Sequence, residues 1–430
     1  MKVFKVVLIT VVALVVVAAV AVGGFVTYAK VTVSQRQTEL APFYTAPSPL
    51  PAGSPGDILR TEPLTGAFDV PGATAYRILY RSEDPHGSPR VSGGMVFIPD
   101  TPPPAGGRPV ISWAHPTVGM GDACAPSRSD NPTALLDWLP AMIKQGWVVT
   151  ATDYAGLGTE GTEYYLIGEA EARDVINAVR AVRTMPDAQA GKQYGVFGHS
   201  QGGHAAMWTG AVAPAYAPEL DLVGVAGAAP AAPLRELVDQ LWDSPVAWVI
   251  GAEVFVSYPK EYPGLDLSAV GTSAAVSGYQ SLADKCLVEG VLDGQVKEIF
   301  GESFFTRNPN SVPDWAAAIE AQTAKPLPVD LPVLVTQSVN DGVVEPQSIA
   351  AMEQQWCAAG STIDVRWLGP LRGDPLTPNV MSHMYEGSVG GALATTWFEQ
   401  RFAGAPAGKS CGQTPPLALA ASNATGGVDG

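Results

Sequence analysis

A serine hydroxyl is a useful nucleophile only where a histidine can take its proton. Gly198-His199-Ser200-Gln201-Gly202 has the G-x-S-x-G spacing in which a strained strand-to-helix turn exposes the serine. With 46 glycines in 430 residues the bare pattern is weak, chance giving roughly 0.3 matches. A second match stands at Gly408-Lys409-Ser410-Cys411-Gly412. Context separates them. The strand-like run Tyr194 to Phe197 leads into the first, and Gly202, Gly203, Ala205 and Ala206 open a helix behind it. The second has no strand before it and no histidine after it, so it reads as coincidence.

The base must be one of five histidines: His86, His115, His199, His204 and His383. On an elbow of this kind the partners follow in the chain order Ser, Asp, His, which leaves His383. It is expected in a loop between the last strand and a final helix from Gly390 to Phe402. The acid should lie between Ser200 and His383, at the carboxyl end of a strand. Asp341 fits, in the turn Asn340-Asp341-Gly342 after the buried-strand pattern Pro332 to Gln337. Asp330 precedes that strand and Asp364 lies inside another, which leaves Asp374 as the rival. The oxyanion of an acyl-transfer intermediate needs two backbone donors. Gln201, directly after the nucleophile, is one; the loop His115 to Gly119 should supply the other. Pro116 has no N–H, so Thr117 is assigned, with Val118 as the alternative.

Strands and helices must bring these residues together. Tyr76 to Arg81, Val96 to Ile98, Val110 to Trp113, Trp147 to Thr152, Tyr194 to Phe197, Leu222 to Ala226, Leu331 to Thr336 and Ile363 to Trp367 read as strands. Gly168 to Arg183, with Ala172, Val175, Ile176, Val179 and Val182 at helical spacing, reads as a helix. Strands alternating with helices imply an α/β fold with a mostly parallel sheet and helices on both faces. The stretch between Leu222 and Leu331 exceeds what a crossover needs. Its aromatics, Trp242, Trp248, Phe255, Tyr258, Tyr262, Tyr279, Phe300, Phe304, Phe305 and Trp315, suit a cap over an apolar pocket or a helical subdomain with its own core.

Lys2 and Lys5 precede an apolar run from Val6 to Val26, an export signal long enough to persist as a membrane anchor; Ala19 and Ala21 leave cleavage open. Exported chains meet oxidising conditions, and Cys124, Cys286, Cys357 and Cys411 lack metal-site spacing. Two disulfides are expected; of three connectivities, Cys124 with Cys286 and Cys357 with Cys411 is favoured over the others and over four free thiols. The net charge of −16 repels phosphate backbones and argues against a nucleic-acid partner. The chain thus divides into a signal peptide or anchor (1–30), a Pro/Ala/Gly-rich extended linker (31–56), a core (57–229 and 326–411) interrupted by a cap insertion (230–325), and a disordered tail (412–430) carrying a coincidental sequon at Asn423.

Tyr80-Arg81-Ser82, His115-Pro116-Thr117, Cys124-Ala125-Pro126-Ser127, Asp153-Tyr154-Ala155-Gly156-Leu157-Gly158, Tyr165-Leu166-Ile167-Gly168, the elbow and Asn340-Asp341-Gly342 together resemble the secretory lipase family of α/β-hydrolases, over roughly residues 57–402. That resemblance implies an α/β-hydrolase fold with an inserted helical cap, hydrolysis of triacylglycerols or simpler esters without cofactor or metal, and an acyl chain buried under the cap. One departure is Pro116, where relatives commonly carry glycine. The function expected is an exported serine hydrolase acting on lipid or ester substrates. It would be secreted or held at the membrane by its N-terminal segment, with no obligate protein partner evident. A peptidase or acyltransferase could use the same triad, and a non-catalytic surface binding protein is the reading from another class.

Overall fold

The computed structural model describes residues 32–65, 69–130, 135–371 and 378–417. Residues 32–44 form a helix (α1) in a unit of its own ending at Thr45. The extended linker expected from residue 31 is therefore helical over its first half. Gln35 to Leu40 are polar and straight-chain residues compatible with helix, and the Pro/Gly-rich composition starts only at Ala46. The second unit, Ala46–Gly430, contains everything that follows. Its first residues have no regular structure but are not a free spacer. The Gly56 N–H donates to the Arg81 carbonyl at 2.8 Å, and the Arg81 guanidinium donates to the carbonyl of Pro51. The export segment, residues 1–30, and Asn423 lie outside the described residues. Among those described, no helix is long and apolar enough to cross a membrane.

A nine-stranded sheet forms the body, in the order β1-β2-β3-β5-β4-β6-β7-β8-β9. The first three strands, β1 (Ile58–Leu64), β2 (Ala73–Glu83) and β3 (Pro89–Pro99), are antiparallel, and β3 also meets β5 (Val148–Thr152) antiparallel. From there β4 (Arg108–Ala114), β6 (Ala190–His199), β7 (Asp221–Ala228), β8 (Val333–Ser338) and β9 (Ile363–Leu368) continue in parallel. Of the parallel strands, β5 and β8 are buried throughout, β4 nearly so, and β6 and β7 over their carboxyl-terminal halves, as parallel strands covered on both faces require. β9, last in the sheet, alternates buried Ile363 and Val365 with half-buried Asp364 and Arg366. β1 escaped the sequence reading because its residues, Arg60, Thr61, Glu62 and Pro63 among them, alternate weakly; a proline is tolerated there because β1 is an edge strand.

Each face of the sheet carries helices over its own apolar core. One core joins α3 (Gly168–Thr184), α4 (Gln201–Tyr216) and α10 (Pro346–Ala358) to the strands; the other joins α2 (Leu139–Lys144) and α11 (Pro378–Phe402). In α3 the apolar stripe through Val175, Ile176, Val179 and Val182 is fully buried, which is what its spacing required. The insertion supplies α5 (Leu234–Leu241), α6 (Ala247–Glu261), α7 (Ser273–Ala283), α8 (Leu287–Ile299) and α9 (Pro313–Gln322). Most of its aromatics face one another: Phe255 lies 4.9 Å from Phe304 and 5.5 Å from Trp315, ring centre to ring centre. They build the insertion's own core, while aliphatic side chains form most of its cavity wall.

The end of the chain also differs from expectation. The final helix starts at Pro378, not Gly390, so His383 lies within a helix and not in a loop. Gly387, Gly390 and Gly391 argue against helix by propensity. Close packing requires the last two: a Cβ at Gly390 would meet the Ala228 Cβ at 2.5 Å, and one at Gly391 the Trp138 ring at 2.2 Å. Ser410, in the second G-x-S-x-G match, is buried; its Oγ accepts from the Val365 N–H at 2.8 Å and donates to Glu353. It fastens the C-terminal segment to β9.

Candidate active site

β6 ends at His199 and α4 begins at Gln201, so Ser200 stands alone at the bend with φ 56° and ψ −117°. Such a conformation is costly for a side chain larger than glycine's and persists only where packing imposes it. The flanking glycines explain how. A Cβ at Gly198 would lie 1.9 Å from the Gly202 carbonyl oxygen, and one at Gly202 would lie 1.9 Å from that of Ala114. The turn therefore closes against β4 only with both glycines present.

Side chains from three distant segments converge on the bend. His383 Nε2 lies 2.9 Å from Ser200 Oγ, and His383 Nδ1 lies 2.8 Å from Asp341 Oδ2. Asp341 Oδ1 accepts from the backbone N–H groups of Val343 and Val344 at 2.8 and 3.0 Å. All three residues are buried. Burial alone would raise the Asp341 carboxyl, but the charge of His383 and the hydrogen bonds it receives hold it below its ordinary value. Asp374, the rival acid, lies outside the described residues.

The other histidines have different partners. His199 is buried, which pushes its ring down to about 3, and its Nε2–H donates to the backbone carbonyl of His383 at 2.9 Å. The elbow thus grips the backbone of the helix that carries the imidazole. His115 sits between the carbonyls of Pro116 and Asp153. His204 lies 2.8 Å from Glu171 through Nδ1, with Nε2 2.9 Å from the Gln322 carbonyl. His86 is on the surface near Glu261.

Gln201 and Thr117 line a cavity together with Ser200. The Gln201 N–H is the first of α4, where helix geometry leaves donors without intrahelical acceptors and the dipole favours negative charge. Thr117 Oγ1 lies 2.8 Å from the Tyr165 hydroxyl. The remaining wall is apolar, including Leu237, Leu241, Ile250 and Val254. Ser200 also borders a second, wider cavity that reaches His383 and the α8 residues Leu287 and Val291.

Sequence reasoning missed three buried carboxyls around this centre. The Gln201 side-chain amide donates to Glu163 at 3.0 Å and to Glu171 at 2.9 Å. Burial drives Glu163 up to about 8 against the opposing hydrogen bond from Gln201. The third is Glu386, one turn beyond His383. For Glu171 a signal existed: it stands four residues before Val175, on the apolar stripe of α3, where an acid must have a partner. Asp341, His383 and Glu386 are the one group of possible metal ligands found among the described residues, their donor atoms within 4.8 Å of one another. Asp341 and His383 are already hydrogen-bonded to each other, so the group reads as proton-sharing.

Two disulfides brace the surroundings. Cys124, beyond β4, pairs with Cys286 at the start of α8, and Cys357 in α10 pairs with Cys411, the connectivity the sequence favoured.

The sequence pattern of the secretory lipases matches residues 135–410. The chain belongs to the secretory lipase family. Lipases are carboxylic ester hydrolases, and this family member falls in that class. Lipase A of Arthroderma benhamiae is 27% identical over 395 residues, covering 86% of this chain and 81% of the relative. A Mycobacterium tuberculosis protein named a probable inactive lipase is 25% identical over 402 residues, covering 85% and 82%. Among solved structures, a ligand-bound rice cell wall degrading esterase from Xanthomonas oryzae superposes with a TM-score of 0.67 at 20% identity, covering 81% of this chain and all of that one. It shares the α/β-hydrolase fold.

Proposed function

We propose that this family member is an exported serine hydrolase that cleaves lipid esters through an acyl-enzyme. The observation that carries the reading is the unbroken hydrogen-bonded path from Ser200 through His383 to Asp341. Ser200 Oγ attacks the ester carbonyl as His383 Nε2 takes its proton; Asp341 holds the ring by Nδ1–H and stabilises the imidazolium. The backbone N–H groups of Gln201 and Thr117 receive the tetrahedral oxyanion, each worth about 10²–10³ in rate. His383 then protonates the leaving alcohol, and water, deprotonated by the same nitrogen, releases the acid.

Two features support a lipid over a small soluble ester. The apolar cavity beside Ser200 suits an acyl chain, and α8 displays Val288, Leu292, Val296 and Ile299, followed by Phe300, to solvent at 52–81% exposure. The same helix lines the wider cavity through Leu287 and Val291. An apolar face at a cavity mouth suits contact with aggregated lipid. Two disulfides fit an oxidising compartment, so the body works outside the cytoplasm, secreted or anchored by residues 1–30.

The test is turnover by residues 31–430 of soluble short-chain esters, emulsified triacylglycerols and peptide amides, with Ser200→Ala and His383→Ala beside the unaltered protein. Ester hydrolysis lost in both variants is expected. Amide cleavage instead would point to a peptidase, and no turnover would place the chain beside the inactive relative. Leu292→Ser with Ile299→Ser should depress turnover of the emulsion and spare the soluble ester; equal effects on both would remove the lipid assignment.

A further inference from the structure

Glu386 occupies an unusual position for a carboxyl. It is fully buried, on α11 one turn after His383, with Oε1 accepting from the Ser338 N–H and Oε2 without a hydrogen-bond partner. A carboxyl oxygen of Glu386, one of Asp341 and a ring nitrogen of His383 lie within 4.8 Å of one another. Two carboxyls so close in a site shut off from water do not both ionise. The hydrogen bonds decide which keeps the proton. Asp341 accepts from two backbone N–H groups and from His383, with the Gln337 amide at 3.4 Å; Glu386 has the one donor from Ser338.

We infer that Glu386 is a positioning residue for the Asp341–His383 pair, held as a neutral carboxylic acid so that the base faces one negative charge and not two. The inference rests on the serine-hydrolase reading above. Were Glu386 ionised, the His383 imidazolium would be stabilised by two carboxylates, and the ring would stay protonated when Ser200 needs a base. In the neutral acid, the hydroxyl at Oε2 can turn toward Asp341 and donate to it, which tempers that carboxylate's pull on the His383 proton.

The surrounding charges agree. Burial, reinforced by Asp341, raises Glu386 well above the usual carboxylate range, whereas Asp341 is held low. His199, against the His383 ring at 4.7 Å between ring centres, is kept neutral by burial. Glu345, four residues beyond Asp341, is raised by burial and by the Asp341 charge.

The experiment is the pH dependence of kcat/KM on a soluble short-chain ester. Glu386→Gln preserves a neutral group and the acceptor for Ser338. Its acidic limb, which reports the base, should stay within about 0.3 pH unit of the unaltered enzyme, with kcat/KM within about threefold. Glu386→Ala removes the donor to Asp341 and should move that limb up by roughly half a unit. A limb that falls by a unit or more in either variant means that Glu386 is an anion, and overturns the inference. A limb unmoved in Glu386→Ala, with activity lower at every pH, means a merely structural role and also overturns it. Infrared spectra at about pH 8 supply a readout independent of turnover: the unaltered protein should show one more protonated-carboxyl C=O band than either variant, and equal spectra refute the neutral acid. Absence of ester turnover in the unaltered protein would defeat the hydrolase reading and leave the infrared result standing.

Discussion

Gly202→Ala isolates the elbow's packing from its chemistry, because it adds one methyl group and touches none of the three hydrogen-bonded residues. The added Cβ would lie 1.9 Å from the Ala114 oxygen, 2.4 Å from its carbonyl carbon and 2.8 Å from the His115 oxygen. An ordinary contact begins near 3.4 Å, so the elbow and the β4 end must part by roughly 1.5 Å, and both sides are backbone with no rotamer to yield. Overpacking of this kind costs about 1–3 kcal/mol. The displaced atoms carry Ser200 on one side and lead to Thr117 on the other, and a misplacement of about 1 Å costs on the order of 10²-fold in rate. The assays are urea unfolding and kcat/KM on a soluble ester. Gly278→Ala is the control: it lies in α7 with nothing within 4 Å of its Cβ, and should be neutral or stabilising by up to about 1 kcal/mol. If Gly202→Ala keeps stability and kcat/KM within threefold of the unaltered protein, the packing argument for the elbow is wrong.

Glu163 should make stability fall with rising pH. Its folded pKa near 8 exceeds the unfolded value, so between the ordinary carboxylate range and about pH 8 the folded chain keeps a proton that the unfolded chain releases. Glu163→Gln, which still accepts from Gln201, should therefore lose less unfolding free energy between about pH 5 and pH 8, by a few kcal/mol on the order of the shift; parallel slopes would contradict this. Cys357→Ala with Cys411→Ala opens a loop of sequence separation 54 and should cost about 4 kcal/mol in urea unfolding, a loss below 1 kcal/mol being the contrary result. Thr117→Val deletes the hydroxyl beside Tyr165 and keeps the backbone donor. The kcat for a short ester should drop less than tenfold; a loss of about 10²-fold or more would make the hydroxyl, and not the N–H, the principal donor.

Residue types and their order carried a large share of this protein. The elbow was legible because strain and close approach restrict Gly198 and Gly202 to glycine, and chain order left one histidine. The inner parallel strands were legible because the stretches covered on both faces are largely apolar. What sequence could not reveal is set by contacts between distant segments. Gly387, Gly390 and Gly391 discourage helix locally, yet α11 forms, with glycine at 390 and 391 letting it lie against Ala228 and Trp138; tertiary packing overrode propensity and put His383 in a helix. Glu171 and Glu386 gain meaning only once Gln201 and Asp341, far away along the chain, are folded against them. A local pattern records what the backbone of one segment can adopt, whereas the protonation of a buried acid depends on which other charges the fold brings within a few ångströms.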